Sequence, residues 1–372
     1  MRLLKFLPVI LVCLLLGGCW DSQELEDRLS VTGIAIDQDK DQLVVSILTP
    51  IPQNNMGISG GATATQQPVQ IFTGRGKTLS DATNDIRFQS NKRVTFGDTR
   101  LIIISEKVAK QGLSNLLDAF GRNPEFRRRE YMIVAKGEAQ HFFQLRSPLE
   151  SNPAGYIISF LKNKSEDELI MKKKGLNHFF IDEANPVDQP ILNYLSIDGQ
   201  KVRWNGVAIF KEEKMVGILN RIESRSLLQI NHNGTGEDLV TPCKVKPGLI
   251  AIQPNIVTSK VRFGNRKGRA VFRIMVNVKA LVKEMTCSVN LDDPKSLQKV
   301  SRHVEKAYEI QAMNTVKKAQ QLRSDIYGLG NFIRTYHPTW WKKLNWSTDF
   351  SKADISIKYK VVINPLGVRK TN

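Results

Sequence analysis

From Ala270 to Val282 every second residue is apolar: Ala270, Phe272, Ile274, Val276, Val278, Ala280 and Val282. Between them fall Arg273, Asn277 and Lys279, and Lys283 follows. A two-residue period over this length admits one reading, a long strand with one dry and one wet face. Upstream, Val257, Ser259, Val261 and Phe263 alternate with Lys260 and Arg262, and residues 265–269 form the turn between the two runs. Near the end, Ile355, Ile357, Tyr359, Val361 and Ile363 repeat the pattern against Lys358 and Lys360. A helical stripe lies between these strands. Asp293 and Pro294 start it, and Leu297, Val300, Val304, Tyr308, Ala312, Val316, Ala319, Leu322 and Ile326 carry it towards Gly328 and Gly330. Lys299, Arg302, Lys306, Lys317 and Lys318 fall on the other, solvated side. The expectation is an antiparallel sheet crossed on its apolar face by one long helix.

The first half has a different grammar. Residues 29–37 and 42–49 read as strands around the turn Gln38-Asp39-Lys40-Asp41. Residues 50–67, rich in Pro, Asn and Gly, read as a mobile loop. A strand at 68–74, a helix at 77–89, an apolar strand at 99–105, a helix at 106–122 and a strand at 131–136 follow. Residues 138–195 read as mainly helical, with amphipathic pieces at 139–145 and 155–162 and a solvated run at 172–174. Strands are expected at 196–202, 206–211 and 214–219, then a helical turn into a strand at 222–230. The fold class is α+β and multi-domain, with mixed and antiparallel sheets and packed helices. The division is a segment 1–18, a short segment 19–28, an α/β domain 29–196, a strand-rich region 197–240 (alone or joined to 138–196) and a basic α+β domain 241–372.

The first segment reads as an export signal. Arg2 and Lys5 precede an apolar run from Phe6 to Leu16 that contains Pro8. Eleven residues are too few to span a bilayer, which takes about 20; they suit the apolar core of a signal peptide. The run ends in Leu16-Gly17-Gly18-Cys19, a lipoprotein cleavage site. The expectation is a mature chain that begins at a lipid-modified Cys19 and stays outside the membrane, tied to it by acyl chains.

Charge is distributed unevenly. Residues 19–196 carry 21 Lys+Arg and 22 Asp+Glu, whereas residues 197–372 carry 31 and 14. The second half therefore has a net charge of +17 and attracts polyanions. Export excludes nucleic acid, leaving an anionic lipid surface or an acidic partner, against the plainer reading that the bases only solubilise a strand-rich domain. Cys243 and Cys287 remain after Cys13 and Cys19 are assigned to the signal and the lipid. A disulfide is permitted outside the cytoplasm; two buried, unpaired thiols are the reading the sequence favours.

Catalytic motifs are missing. There is no P-loop, G-x-G-x-x-G or G-x-S-x-G, and His141, His178, His232, His303 and His337 stand apart, so no catalytic residue, cofactor site or metal site is assigned. Gly74-Arg75-Gly76-Lys77-Thr78 before a helix offers backbone N–H groups to an anion, with a glycine-permitted turn as the plainer reading. Glu166-Asp167-Glu168 is a charge cluster. Trp340-Trp341 beside Lys342-Lys343 has the character of an interfacial belt, with core packing as its alternative.

The ordered landmarks carry a resemblance. They are Cys19-Trp20-Asp21 with Glu24-Leu25-Glu26-Asp27, then Phe72-Thr73-Gly74-Arg75-Gly76-Lys77-Thr78-Leu79-Ser80-Asp81-Ala82, Asn91-Lys92-Arg93 and Ile103-Ile104-Ser105-Glu106. The second half adds Gly206-Val207-Ala208-Ile209-Phe210 with Val216-Gly217, Glu223-Ser224-Arg225, Asp325-Ile326-Tyr327-Gly328-Leu329-Gly330, Tyr336-His337-Pro338 and Trp341. In this order they resemble the Ger(x)C family, the lipoprotein C subunits of spore germinant receptors. The resemblance implies a non-enzymatic protein of three mixed α/β domains on the outer face of the spore inner membrane. It also implies A and B subunits as partners in nutrient-triggered germination, and Cys19 as the one chemically defined site. A solute-binding lipoprotein of a transporter is the alternative; long strands with a polar face argue against its usual two lobes of βα repeats. An exported cell-wall enzyme is the third reading.

Overall fold

The computed structural model describes residues 27–51, 69–147, 150–167, 169–171, 175–185, 187–231, 233–243 and 246–364. The expected signal, Cys19, most of the expected 50–67 loop, the 172–174 run, Glu168 and His232 lie outside the described residues.

In chain order the first half comprises β1 (Arg28–Ser30), β2 (Gly33–Asp39), β3 (Gln42–Pro50), β4 (Val69–Gly76), α1 (Leu79–Arg87), β5 (Arg93–Thr95) and β6 (Leu101–Ser105). Then come α2 (Glu106–Gln111), α3 (Ser114–Arg122), β7 (Tyr131–Ala135), a 3-10 turn (Ala139–Gln144), α4 (Pro153–Glu166) and α5 (Leu176–Ala184). β8 (Ile191–Asp198), β9 (Lys201–Lys211) and β10 (Lys214–Asn220) complete one eight-stranded sheet of order β10-β9-β8-β7-β6-β2-β3-β4. Its four central strands are parallel and its two flanks antiparallel. The apolar run Leu101–Ile104 is fully buried because helices cover both faces at that point.

Three expectations change here. The helix read over 106–122 is two helices, since Gly112 (φ 121°) breaks it and Ser105 starts the first by accepting a bond from Val108 N–H. The single strand read over 196–202 is instead the end of β8, a two-residue turn at Gly199 and Gln200 with Gly199 in the left-handed region, and the start of β9. The strand expected to finish 222–230 is helix α6 (Arg221–Asn231) throughout.

The second half comprises β11 (Leu239–Pro242), β12 (Leu249–Arg266), β13 (Arg269–Met285), α7 (Pro294–Gln321), α8 (Leu329–Tyr336), α9 (Pro338–Trp341), α10 (Trp346–Asp349) and β14 (Asp354–Asn364). The sheet order is β11-β12-β13-β14. The alternating apolar residues of β13 from Ala270 to Ala280, and those of β14, are buried in one core with the apolar stripe of α7, and Val282 at the end of the run is partly covered. Asp293 caps α7 through bonds from Lys295 and Ser296 N–H, as expected. The sheet is not wholly antiparallel, however: β14 runs parallel to β13, because α7 acts as a crossover connection between them. That leaves β14 at an edge, where Glu305 and Glu309 of α7 accept from the N–H groups of Val361 and Tyr359. The helix also stops earlier than its stripe suggested, at Gln321, with Arg323 in the left-handed region.

One apolar core runs from a face of the first sheet, through α6, to the inner face of the second. A separate core fills the other face of the first sheet, beneath α1, α2, α3 and α5.

Candidate functional site

α6 is the element that joins the two sheets, and its chemistry is unusual. Ser224, Arg225, Ser226 and Gln229 are all buried. Buried polar groups are costly unless bonded, and most of these find partners far away in the chain. Arg225 donates to Gln311 Oε1 at 2.7 Å and to the carbonyl of Asp238 at 3.1 Å, and its guanidinium lies 5.9 Å from the ring centroid of Tyr308. Ser226 Oγ and Tyr327 OH are 3.1 Å apart. Gln229 Oε1 accepts from Tyr359 OH at 2.9 Å. Asn231 Nδ2 donates to the carbonyl of Ile326 at 2.8 Å. Burial raises the pKa of Tyr327 and Tyr359, so both phenols stay protonated and able to donate.

At the start of α6, Glu223 accepts a bifurcated contact from Lys318 Nζ, 2.7 and 2.9 Å from its two oxygens. Its backbone carbonyl accepts from Thr315 Oγ1 at 3.0 Å. Lys318 therefore belongs to the junction and not to the solvated side of its helix.

The segment after α7 closes the junction. Ser324 Oγ donates to the carbonyl of Phe210 in β9 at 2.8 Å. Asp325 Oδ2 accepts from Gly330 N–H at 2.7 Å and from Trp346 Nε1–H at 2.9 Å, while its Oδ1 has no partner among the described residues. Burial pushes the Asp325 carboxyl up to about 6. Gly330 is required by contact: a Cβ there would sit 2.2 Å from Trp346 Nε1 and 2.4 Å from Val187 Cγ1. The backbone of α8 thus touches the indole directly.

The motifs singled out in the sequence converge here. Phe210, Gly217, Glu223-Ser224-Arg225 and 325–330 meet around α6, and a Cβ on Gly217 would meet Leu322 Cδ1 at 2.7 Å. The sequence reading missed Gln229, Asn231, Thr315 and Lys318, polar residues within helical stretches whose partners are remote.

The other motifs have local duties. Gly74 and Gly76 let β4 lie against α1, where Cβ atoms would sit 2.2 and 2.4 Å from Ala82 O and Ala82 N. Thr78 accepts from Asp81 N–H while Asp81 and Asp85 accept from Lys77 and Arg75 N–H. Two of the backbone donors that an anion would use, those of Arg75 and Lys77, are taken by carboxylates, and the close approach of Gly74 and Gly76 to α1 supports the packing reading. Asn91-Lys92-Arg93 leads into β5, which pairs with β1. Ser105 and Glu106 begin α2, and Glu106 accepts from Tyr194 OH. Tyr336-His337-Pro338 and Trp341 lie at the α8–α9 corner.

A crevice of about 830 Å³ opens beside the carboxyl ends of β2 and β6. This is where open α/β sheets tend to bind ligands. Its acids are engaged internally: Asp37 accepts from Ala139 and Gln140 N–H, Glu106 from Tyr194, and Asp39 from Arg75 at 2.7 Å. Cys243 and Cys287 form a disulfide, correcting the expectation of unpaired thiols. β11 and the end of β13 flank β12 and bring the two together. Among the described residues no cluster of His, Cys, Asp and Glu suitable for a metal occurs, and no helix is long and apolar enough to cross a membrane.

Comparison with known proteins decides the family. Residues 21–197 match the family described as "Spore germination protein N-terminal domain", and residues 205–367 match "Spore germination B3/ GerAC like, C-terminal". The chain belongs to the Ger(x)C family. Ger(x)C relatives extend over nearly the whole length. Spore germination protein KC of Bacillus subtilis (strain 168) is 24% identical, over 97% of this chain and 95% of that protein. Spore germination protein B3 of the same organism is 25% identical, over 96% and 97%. The crystal structure of the GerBC protein superposes with a TM-score of 0.60 at 21% identity, covering 89% of this chain and 97% of that one, so the fold is shared. Membership of the Ger(x)C family gives the chain a role in spore germination as a non-catalytic component.

Proposed function

We propose that this chain is the lipid-anchored C subunit of a nutrient germinant receptor, held on the outer face of the spore inner membrane by Cys19. In this reading it couples A and B subunits as a scaffold and performs no chemistry. The observation that carries the reading is the buried polar junction around α6. It ties both sheets into one body through partners such as Glu223–Lys318 and Ser324–Phe210, which suits a part that transmits position. Membrane attachment is supported by the Leu16-Gly17-Gly18-Cys19 run.

The test is a spore strain carrying Cys19→Ala at the native locus. Loss of the protein from the membrane fraction together with a slowed nutrient response is the expected result. Full membrane retention with an unchanged response would overturn the anchoring. Cross-linking from spore membranes should recover A and B subunits; their absence would remove the coupling role. A solute-binding lipoprotein would need the crevice beside β2 and β6, where the carboxylates are already occupied.

A further inference from the structure

The α8–α9 corner takes no part in the junction, yet it concentrates a particular chemistry. Tyr336 is 67% exposed, and Trp340 and Trp341 are only partly covered. No residue of α9 is fully buried: both indoles pack partly against the rim of the main core and remain partly open to solvent. Lys343 Nζ stands 5.3 Å from the Trp340 ring centroid, and Arg334 and Lys342 are exposed beside it.

A second element reaches the same end of the molecule. The His337 ring lies 4.9 Å from that of Phe263 in β12, and Phe263 pairs across the hairpin with Phe272. Beyond Phe263 the hairpin continues to a turn bearing Arg266, Lys267 and Arg269, all exposed. A Cβ placed on Gly264 or Gly268 would meet nothing within 4 Å, so the tip stands clear of the body. The sequence has no Asp or Glu from 239 to 283, nor from 326 to 348. Among the described residues none of these tip or corner bases has an acidic partner.

We propose that this aromatic and basic end of the C-terminal lobe is a membrane-contact surface for anionic lipid. Tyr336, Trp340 and Trp341 sit at headgroup depth, and the Lys and Arg of α8–α9 and the β12–β13 tip lie on the lipid phosphates. The shape favours lipid over an acidic protein. Bases of one sign on a projecting tip, set beside an exposed tyrosine and two partly covered indoles, match a smeared negative surface that needs no fixed partner geometry. The inference rests on the membrane location proposed above and adds a second, peripheral contact to the acyl anchor.

The test uses the full mature chain with Cys19→Ala, which carries no acyl group. Sedimentation is measured with vesicles of phosphatidylcholine alone and with 30% phosphatidylglycerol. Binding to the anionic vesicles only, weakened by salt and accompanied by a blue shift of tryptophan emission, is expected. Combining Arg266→Glu, Lys267→Glu, Lys342→Glu and Lys343→Glu should weaken it at least tenfold, since each base near such a surface changes affinity by roughly fivefold. All four residues are exposed, and an unchanged melting temperature would confirm that the variant folds. Trp340→Phe with Trp341→Phe should remove the blue shift. No binding by the parent chain, or equal binding by the charge-reversed variant, would overturn the proposal. If the parent ignores vesicles while the variant loses its receptor partners, the surface is a protein-docking site and the lipid proposal falls. Failure of the receptor reading would appear separately, as normal nutrient germination in a strain lacking the chain.

Discussion

Lys318 Nζ in α7 lies 2.7 Å from Glu223 Oε2 in α6, across 95 residues of sequence. The pair is only partly exposed and Glu223 also accepts from Asn220 N–H, so the carboxylate is held from two sides. Charge-assisted bonds of this kind are among the stronger ones in a protein. Lys318→Met should destabilise the fold by about 1–2 kcal/mol. Glu223→Gln should cost a similar amount, and the double variant less than the sum. Urea unfolding of the four proteins measures the coupling; additive losses would show that the pair does not act as a unit.

Gly330 offers a sharper test. A methyl group at this position collides with the Trp346 indole and with Val187 at distances that no rotamer relieves. Gly330→Ala should destabilise by about 2–3 kcal/mol, at the upper end of the usual range for overpacking. The accompanying change should be in the environment of Trp346, read by its near-ultraviolet circular dichroism. A variant of unchanged stability would mean that α8 shifts freely against the indole.

Most of the C-terminal lobe was legible in the sequence because its forces are periodic. The alternation of β13 and β14 and the stripe of α7 each describe one face of one element, and those faces meet. Direction was not legible: the same alternation serves β14 parallel or antiparallel to β13, and only the crossover decides. α6 was read incorrectly for a related reason. Its inward residues Ser224, Arg225, Ser226 and Gln229 are polar; Ser224 bonds back to Asn220 one turn away, but Arg225, Ser226 and Gln229 reach partners 86, 101 and 130 residues away. Local pattern carries no trace of such partners. The motifs did mark the junction, but the reason for each became visible only in contact, as with Gly330 against Trp346.

The disulfide supplies a prediction confined to the second sheet. Cys243 and Cys287 are separated by 44 residues, so their bond restricts a sizeable loop in the unfolded chain. Replacing both by Ala should cost about 2–4 kcal/mol. Reduction of the parent protein should lower its melting temperature towards that of the variant, and reductant should leave the variant unchanged. Equal stability with and without reductant in the parent would show that the bond contributes nothing.

Asp325 makes stability depend on pH in a direction opposite to that of most carboxylates. Burial raises its pKa from 3.8 to about 6, outweighing the stabilising bonds from Gly330, Trp346 and Leu329, and Asp188 nearby raises it further. A carboxyl whose folded pKa is raised favours folding while it is protonated. Its contribution is fully present below pH 4 and is lost as pH rises through about 6. The shift corresponds to about 3 kcal/mol between those limits. Asp325→Asn keeps an acceptor for Gly330 and Trp346 but cannot ionise. The stability difference between parent and variant should therefore move in favour of the variant as pH increases from 4.5 to 7.5. Asp37, also raised by burial, is common to both proteins and cancels in that difference. Urea midpoints at the two pH values measure it. A difference that stays constant across the range would mean that Asp325 does not titrate there, and that water or a partner reaches its free oxygen.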